Sequence, residues 1–415
     1  MYNWRTAAAV LSIGLALIYA ILFFQMRRPL QEGYSDFISF YTAGKILQRG
    51  LPSQLYEIKL QSQIQHEIAP NVQIRQGALP FVRPAFEAWL FWPLAHFSYR
   101  VAFVLWNLFN AACLILAILC LRREIPDLHD VSPLLMVASG LTYFPVFFTI
   151  LQGQDSILVL LIYVMGYREL RRHRQFLGGM TLGLGIFKFP LLIPFLIPFA
   201  VKRKFRVVGG FALTSLALAA VSIGTVGLPT AAYYPKYLLS IDRIARGINR
   251  PQDMPNLRGL LSVLLPALAP TTTGILLLLL LSIVLLTLVV RQWSSAPFDP
   301  DAAFTLGIAL NVVATVLVSY HCHAFDLCIL LLPIGLALGF VLSKQPIAPD
   351  VRKLLIWLLG AMMFSPLYLL IVFTANIPSL LAILLIAFTF AVGLTISEVR
   401  KMPIFKKTEA SATIS

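Results

Sequence analysis

Runs of roughly 18 or more apolar residues recur along this chain, and they constrain its fold more than any motif does. Thr271 to Arg291 is the plainest, with Ile275-Leu276-Leu277-Leu278-Leu279-Leu280-Leu281 at its centre. At 1.5 Å per residue, such a run crosses a hydrocarbon core about 30 Å thick. No water is present there, so the backbone must satisfy its own hydrogen bonds and the runs form helices. The alternating ten-residue segments of a membrane β-barrel are absent. Composition agrees: the chain is 59% hydrophobic and 12% charged, with mean hydropathy +0.82. A soluble domain carries about twice that charge. The expected fold class is an all-α polytopic membrane protein.

The net charge of +15 invites a nucleic-acid partner, but its distribution argues against one. Much of the positive charge lies in short clusters between apolar runs: Arg122-Arg123, Arg168 to Arg174, Lys202 to Arg206 and Arg400 to Lys407. That is the pattern of cytoplasmic loops. It places both termini in the cytoplasm, with a basic tail from 399 to 415, and one membrane-embedded domain over 1–398. Ten full crossings are expected, at about 4–26, 99–121, 134–151, 155–169, 207–226, 271–291, 303–320, 324–342, 353–374 and 378–396. The segment 176–201 has basic clusters on both sides, is interrupted by Gly and Pro, and carries Lys188-Phe189-Pro190 at its midpoint. It reads as a re-entrant helical hairpin with Lys188 near the tip, or else as a full crossing that flips the topology after it. Large outer loops at about 27–98 and 227–270 suit interfacial helices, with Tyr233-Tyr234 as an interface anchor. Cys113, Cys120, Cys322 and Cys328 lie in or beside apolar runs without a CxxC spacing, and read as small buried residues.

Ionisable groups at membrane depth are costly, so those present are the first candidates for chemistry. Asp36 follows the first apolar run. Gln152-Gly153-Gln154-Asp155 links the third and fourth. Ser319 to Asp326, with His321 and His323, links two later ones, while Arg83, Arg258 and Lys188 add positive charge. This set suits group transfer from a lipid-linked phosphate donor. Cations stabilise the departing phosphate, and a carboxylate takes the proton of an acceptor hydroxyl. Each residue also has a structural alternative. Asp36 and Asp326 could cap helices, Lys188 could snorkel to water, Gln154 could cap a tight turn, and Arg258 could sit plainly at the interface. His321 could make a structural hydrogen bond; neighbouring His321, Cys322 and His323 are badly spaced for one metal ion. No nucleotide-binding fingerprint is present.

Motifs in consistent order sharpen the reading. They are Asp36-Phe37 with Tyr41-Thr42-Ala43-Gly44 and Gly50 to Tyr56, Arg83-Pro84 through Trp92-Pro93-Leu94, Leu105-Trp106-Asn107, Gly153-Gln154, Gly178-Gly179 through Gly183 to Lys188-Phe189-Pro190, Asn256 to Gly259, and His321 with Asp326. Over roughly residues 5 to 340, the chain resembles glycosyltransferase family 87, the polyprenol-phosphate-sugar-dependent membrane enzymes of the GT-C fold. It departs from that family's common pattern at Asp155, where Asn is frequent, and at Arg83-Pro84-Ala85, where a double proline is common. The resemblance implies an outward-facing active site, Asp36 as general base, and a polyprenyl-phosphate sugar donor, with mannose favoured. Lys188, His321, Arg258, Gln154, Arg83 and Asp326 are the expected donor phosphate or sugar contacts.

The expected activity is therefore sugar transfer to a lipid or glycan hydroxyl at the outer face of a cell membrane, such as the bacterial inner membrane. The expectation includes no nucleotide, nucleic acid or protein-bound metal, and leaves room for a hydrated Mg²⁺ at the phosphate. A multi-pass lipid or solute transporter, or flippase, is the alternative. The uneven loop after the first run and the lack of an internal repeat speak against it.

Overall fold

The computed structural model describes residues 4–72, 78–244, 250–293, 302–343, 345 and 347–401, and these form helices joined by turns, with no strand among them. The expected basic tail, 399–415, lies outside the described residues beyond Lys401. Six helical segments are long and apolar enough to cross a membrane: Thr6–Gln48, Tyr99–Glu124, Phe205–Val226, Thr272–Gln292, Ala324–Leu342 and Pro378–Arg400. Three bent pairs raise the number to nine at most: Pro133–Leu141 with Phe144–Gln152, Gln175–Gly183 with Ile186–Val201, and Pro349–Met363 with Ser365–Thr374. The all-helical membrane class holds; the count of ten crossings does not.

The discrepancy has a physical cause. An apolar run says that a helix avoids water, not whether lipid or protein covers it. Thr272–Gln292 presents Ile275, Leu276, Leu279, Leu280 and Ile283 outward, as a lipid-facing helix does. Ala302–Val318 is only 17 residues long and is buried along almost its whole length. Ser156–Arg171 is also mostly buried and ends in Arg168, Glu169 and Arg171. Both predicted crossings are core helices wrapped by their neighbours.

The first apolar run differs too. Helix Trp4–Glu32 continues past the expected end at 26, turns at 33–36, and resumes as Phe37–Gln48. This second helix is buried on nearly all sides, so it is a packed wall and not a surface helix. The expected outer helices appear as Ile58–Ile68, Leu228–Ile244 and Leu257–Leu264. Tyr234 is no simple interface anchor: its hydroxyl donates to the Val82 carbonyl at 3.0 Å.

The bends are chemically locked. Helix breaks free backbone groups that lipid cannot satisfy. Ser365, at the break of one bent pair, accepts from the Phe144 N–H at 2.9 Å and donates to the Thr142 carbonyl at 2.7 Å. One hydroxyl thus serves the break of another pair, which bends by 60°. Tyr143 and Tyr368 join the same two breaks, hydroxyl to hydroxyl at 3.2 Å. The third pair bends by 68° at the turn Ile186–Lys188, a geometry that serves a broken crossing and a re-entrant loop alike, and its joint carries Lys188 as expected.

Ser365→Ala should strand a buried donor and acceptor together, at about 1–3 kcal/mol per group. Thermal unfolding of the detergent-solubilised protein should show a clear drop in midpoint. Ser282→Ala, on the lipid-facing helix, removes only a local bond to Leu278 and should leave the midpoint nearly unchanged.

Candidate active site

Two helix N-termini and one bend converge on a buried ion cluster. Asp155 immediately precedes helix Ser156–Arg171, and Asp326 lies in the first turn of the helical segment Ala324–Leu330. Helix N-termini favour negative charge, so both carboxylates sit where the backbone dipoles suit them. Lys188 reaches them from the bend. Its Nζ is 2.6 Å from Asp155 Oδ1 and also contacts Asp326 Oδ1 and Ser156 Oγ. Ser156 Oγ donates to Asp326 Oδ1 at 2.8 Å, and the His323 N–H donates to Asp326 Oδ2 at 2.9 Å. Arg83 closes the cluster with Nη2 at 3.0 Å from Asp155 Oδ2. Glu87 lies beside them, 3.7 Å from Arg83 Nε. Burial, reinforced by the charge of Asp155, pushes the Glu87 carboxyl well above the usual range and so favours its neutral form.

Asp36 stands apart from this cluster. It occupies the residue before helix Phe37–Gln48 but makes no capping bond with its side chain. Its Oδ2 instead accepts from Gln154 Nε2 at 2.8 Å, and its N–H donates to Gln152 Oε1 at 3.2 Å. No described residue donates to Oδ1. The turn that carries both glutamines depends on Gly153, which adopts φ +62° as a helix C-cap; a Cβ there would lie 2.7 Å from Phe37 Cβ. Trp106 Nε1 holds the Gly153 carbonyl at 2.8 Å and Asn110 Nδ2 the Gln154 carbonyl at 3.1 Å. The first of these bonds ties Trp106 of the Leu105-Trp106-Asn107 stretch directly to the Gly153-Gln154 turn.

Asp36, Gln154, Arg83, Lys188, His321 and Asp326 all line one cavity of about 1080 Å³. Phe187, Phe189, Leu191, Ile193, Val372 and Phe373 make much of its wall apolar, and Ile193 is half exposed on the molecular surface. Burial, reinforced by His323, lowers the pKa of His321 to about 3, and burial lowers that of His323 as well. Both rings are therefore neutral at pH 7 and offer hydrogen bonds without charge. Their ring centroids are 4.6 Å apart in an edge-to-face arrangement.

Arg258 is the expected contact that the cavity does not include. It stacks over the Tyr320 ring at 3.9 Å and donates to the Tyr320 carbonyl at 3.1 Å, while Asn256 Nδ2 holds the Ser319 carbonyl at 2.8 Å. The Asn256 to Gly259 motif is thus a clasp on the segment that delivers His321. Conversely, Gln152, Arg250 and Asp253 line the cavity and are not among the expected donor contacts. Gln152 was visible in the same polar turn; the Arg250–Asp253 pair had no signal beyond ordinary i,i+3 charge spacing. The four cysteines are free. Among the described residues, no group of three or more His, Cys, Asp or Glu side chains is arranged to hold a metal ion.

Removing one partner from a buried ion pair leaves an uncompensated charge, typically at about 3–5 kcal/mol. Lys188→Met should therefore unfold more readily than wild type in denaturant titrations, and Asp326→Asn in the same chain should restore part of the loss. Comparison with known families completes the picture. The sequence model of glycosyltransferase family 87 matches residues 81–320, a span that holds Arg83, Gln154, Lys188 and Arg258. Asp36, His321 and Asp326 lie outside the match and are joined to it by geometry. None of the curated proteins or solved structures compared gives a significant match. With more than half of its 415 residues matched and a cavity ringed by the residues described above, the chain belongs to glycosyltransferase family 87.

Proposed function

We propose that this membrane glycosyltransferase has GT-C architecture and moves one sugar, mannose being favoured, from a polyprenyl-phosphate donor to an acceptor hydroxyl. The acceptor is a lipid or glycan at the outer face of a cell membrane, with both termini in the cytoplasm. One observation carries the reading: the Asp36 carboxylate, held through one oxygen by Gln154, faces a cavity that is apolar along one wall and polar at its inner end. An isoprenoid tail suits the first surface, and a sugar phosphate suits the second.

In this reading, the acceptor oxygen attacks the anomeric carbon while Asp36 takes the hydroxyl proton. The bond from the anomeric carbon to the phosphate oxygen breaks, and its electron pair leaves with the phosphate. A single displacement of this kind inverts the anomeric configuration. General-base catalysis contributes typically 10²–10⁴-fold. Gln154 keeps the carboxylate oriented, and His321 and His323 donate or accept hydrogen bonds at the sugar or phosphate. The residues need no nucleotide and no protein-bound metal for these roles, and a hydrated Mg²⁺ could accompany the phosphate.

The test is reconstitution in liposomes with radiolabelled polyprenyl-phosphate-mannose and a pool of lipid and glycan acceptors. Asp36→Asn is isosteric and should still bind donor, while transfer falls about 10²-fold or more. Undiminished transfer by this variant would remove Asp36 from catalysis. Donor crossing the bilayer without any transfer, even in wild type, would support the flippase reading instead.

A further inference from the structure

Among the described residues, three cationic side chains line the cavity: Arg83, Lys188 and Arg250. The first two are already committed. Arg83 is bound to Asp155, and Lys188, only 3% exposed, is bound to Asp155 and Asp326. These two cations and two carboxylates sum to zero charge, and Asp36 adds a further negative group. The inner end of the cavity therefore offers an anionic phosphate hydrogen bonds but no net positive charge.

Arg250 is different. Among the described residues, the turn Pro251–Asp253 pairs it with Asp253, with Nε 3.0 Å from Oδ2 and Nη2 3.0 Å from Oδ1. Both side chains face the cavity and are partly exposed, at 43% and 22%. A solvated pair of this kind is held weakly. The guanidinium fork that grips a carboxylate fits a phosphate equally well.

We propose that Arg250 is the phosphate-binding group for the lipid-linked donor, and that Asp253 occupies its fork until the phosphate displaces it. This rests on the polyprenyl-phosphate reading above. It also gives the pair a part in turnover. The donor phosphodiester carries one negative charge, whereas the departing monoester carries about 1.5 to 2 at pH 7. Arg250 therefore stabilises the leaving group more than the bound donor, which is the kind of contact that raises the rate.

Binding of polyprenyl phosphate to the purified full-length protein in nanodiscs tests this without relying on activity. Arg250→Gln should weaken binding about tenfold or more, whereas Asp253→Asn should tighten it severalfold by freeing the arginine. The donor KM should move in the same opposed directions, and polyprenol without a phosphate should not distinguish the three proteins. A merely structural ion pair predicts the same direction for both variants, and that result would overturn the proposal. Tight wild-type binding unmoved by Arg250→Gln would overturn the arginine assignment alone. A wild-type protein that binds no polyprenyl phosphate would overturn the donor reading with it.

Discussion

The ammonium of Lys188, held between Asp155 and Asp326, is the contact on which the site depends. It ties together three segments far apart in sequence: the bend at 186–188, the start of helix Ser156–Arg171, and the segment that follows His323. Desolvating three charges is costly unless each is paired and hydrogen-bonded. Here Ser156, the His323 N–H and Arg83 supply the remaining partners. The cluster has nearly no freedom to rearrange without stranding a charge, which gives the cavity's inner end a fixed shape.

This rigidity divides the work among polar groups that composition alone would treat alike. Asp155 and Asp326 are neutralised and serve as framework. Asp36 is left outside the cluster, oriented by neutral Gln154 and open towards the cavity. A carboxylate bound to Lys188 or Arg83 would be a poor proton acceptor, because its negative charge is already stabilised. The same division explains the neutral histidines, which add hydrogen-bonding capacity without disturbing the charge balance. It also explains why an anionic substrate would need a cation from elsewhere on the cavity wall.

Much of this was legible in the sequence, for reasons that can be named. Helicity and membrane character follow from the length of the apolar runs. Lys188 stood out because Gly183, Gly185 and Pro190 break the run that contains it, and Asp36 because it follows the first run closely. The number of crossings was not legible, since Ala302–Val318 is apolar through burial in protein. The departure at Asp155 was plain, but its role was not: its value as a second carboxylate for Arg83 and Lys188 appears only when three distant segments meet. Arg258 looked equivalent to Arg83 on charge alone, yet it grips the Tyr320 carbonyl. Long-range pairing, which no local pattern encodes, separates the two arginines.

The most direct test is a structure determined by electron cryomicroscopy in lipid nanodiscs with a non-hydrolysable polyprenyl-phosphate-sugar analogue. The isoprenoid tail should lie along the Phe187–Ile193 wall, with the anomeric carbon facing Asp36 and room for one hydroxyl between them, and Lys188 should keep its contacts to Asp155, Asp326 and Ser156. A donor seated outside this cavity, or with its sugar turned away from Asp36, would contradict this arrangement.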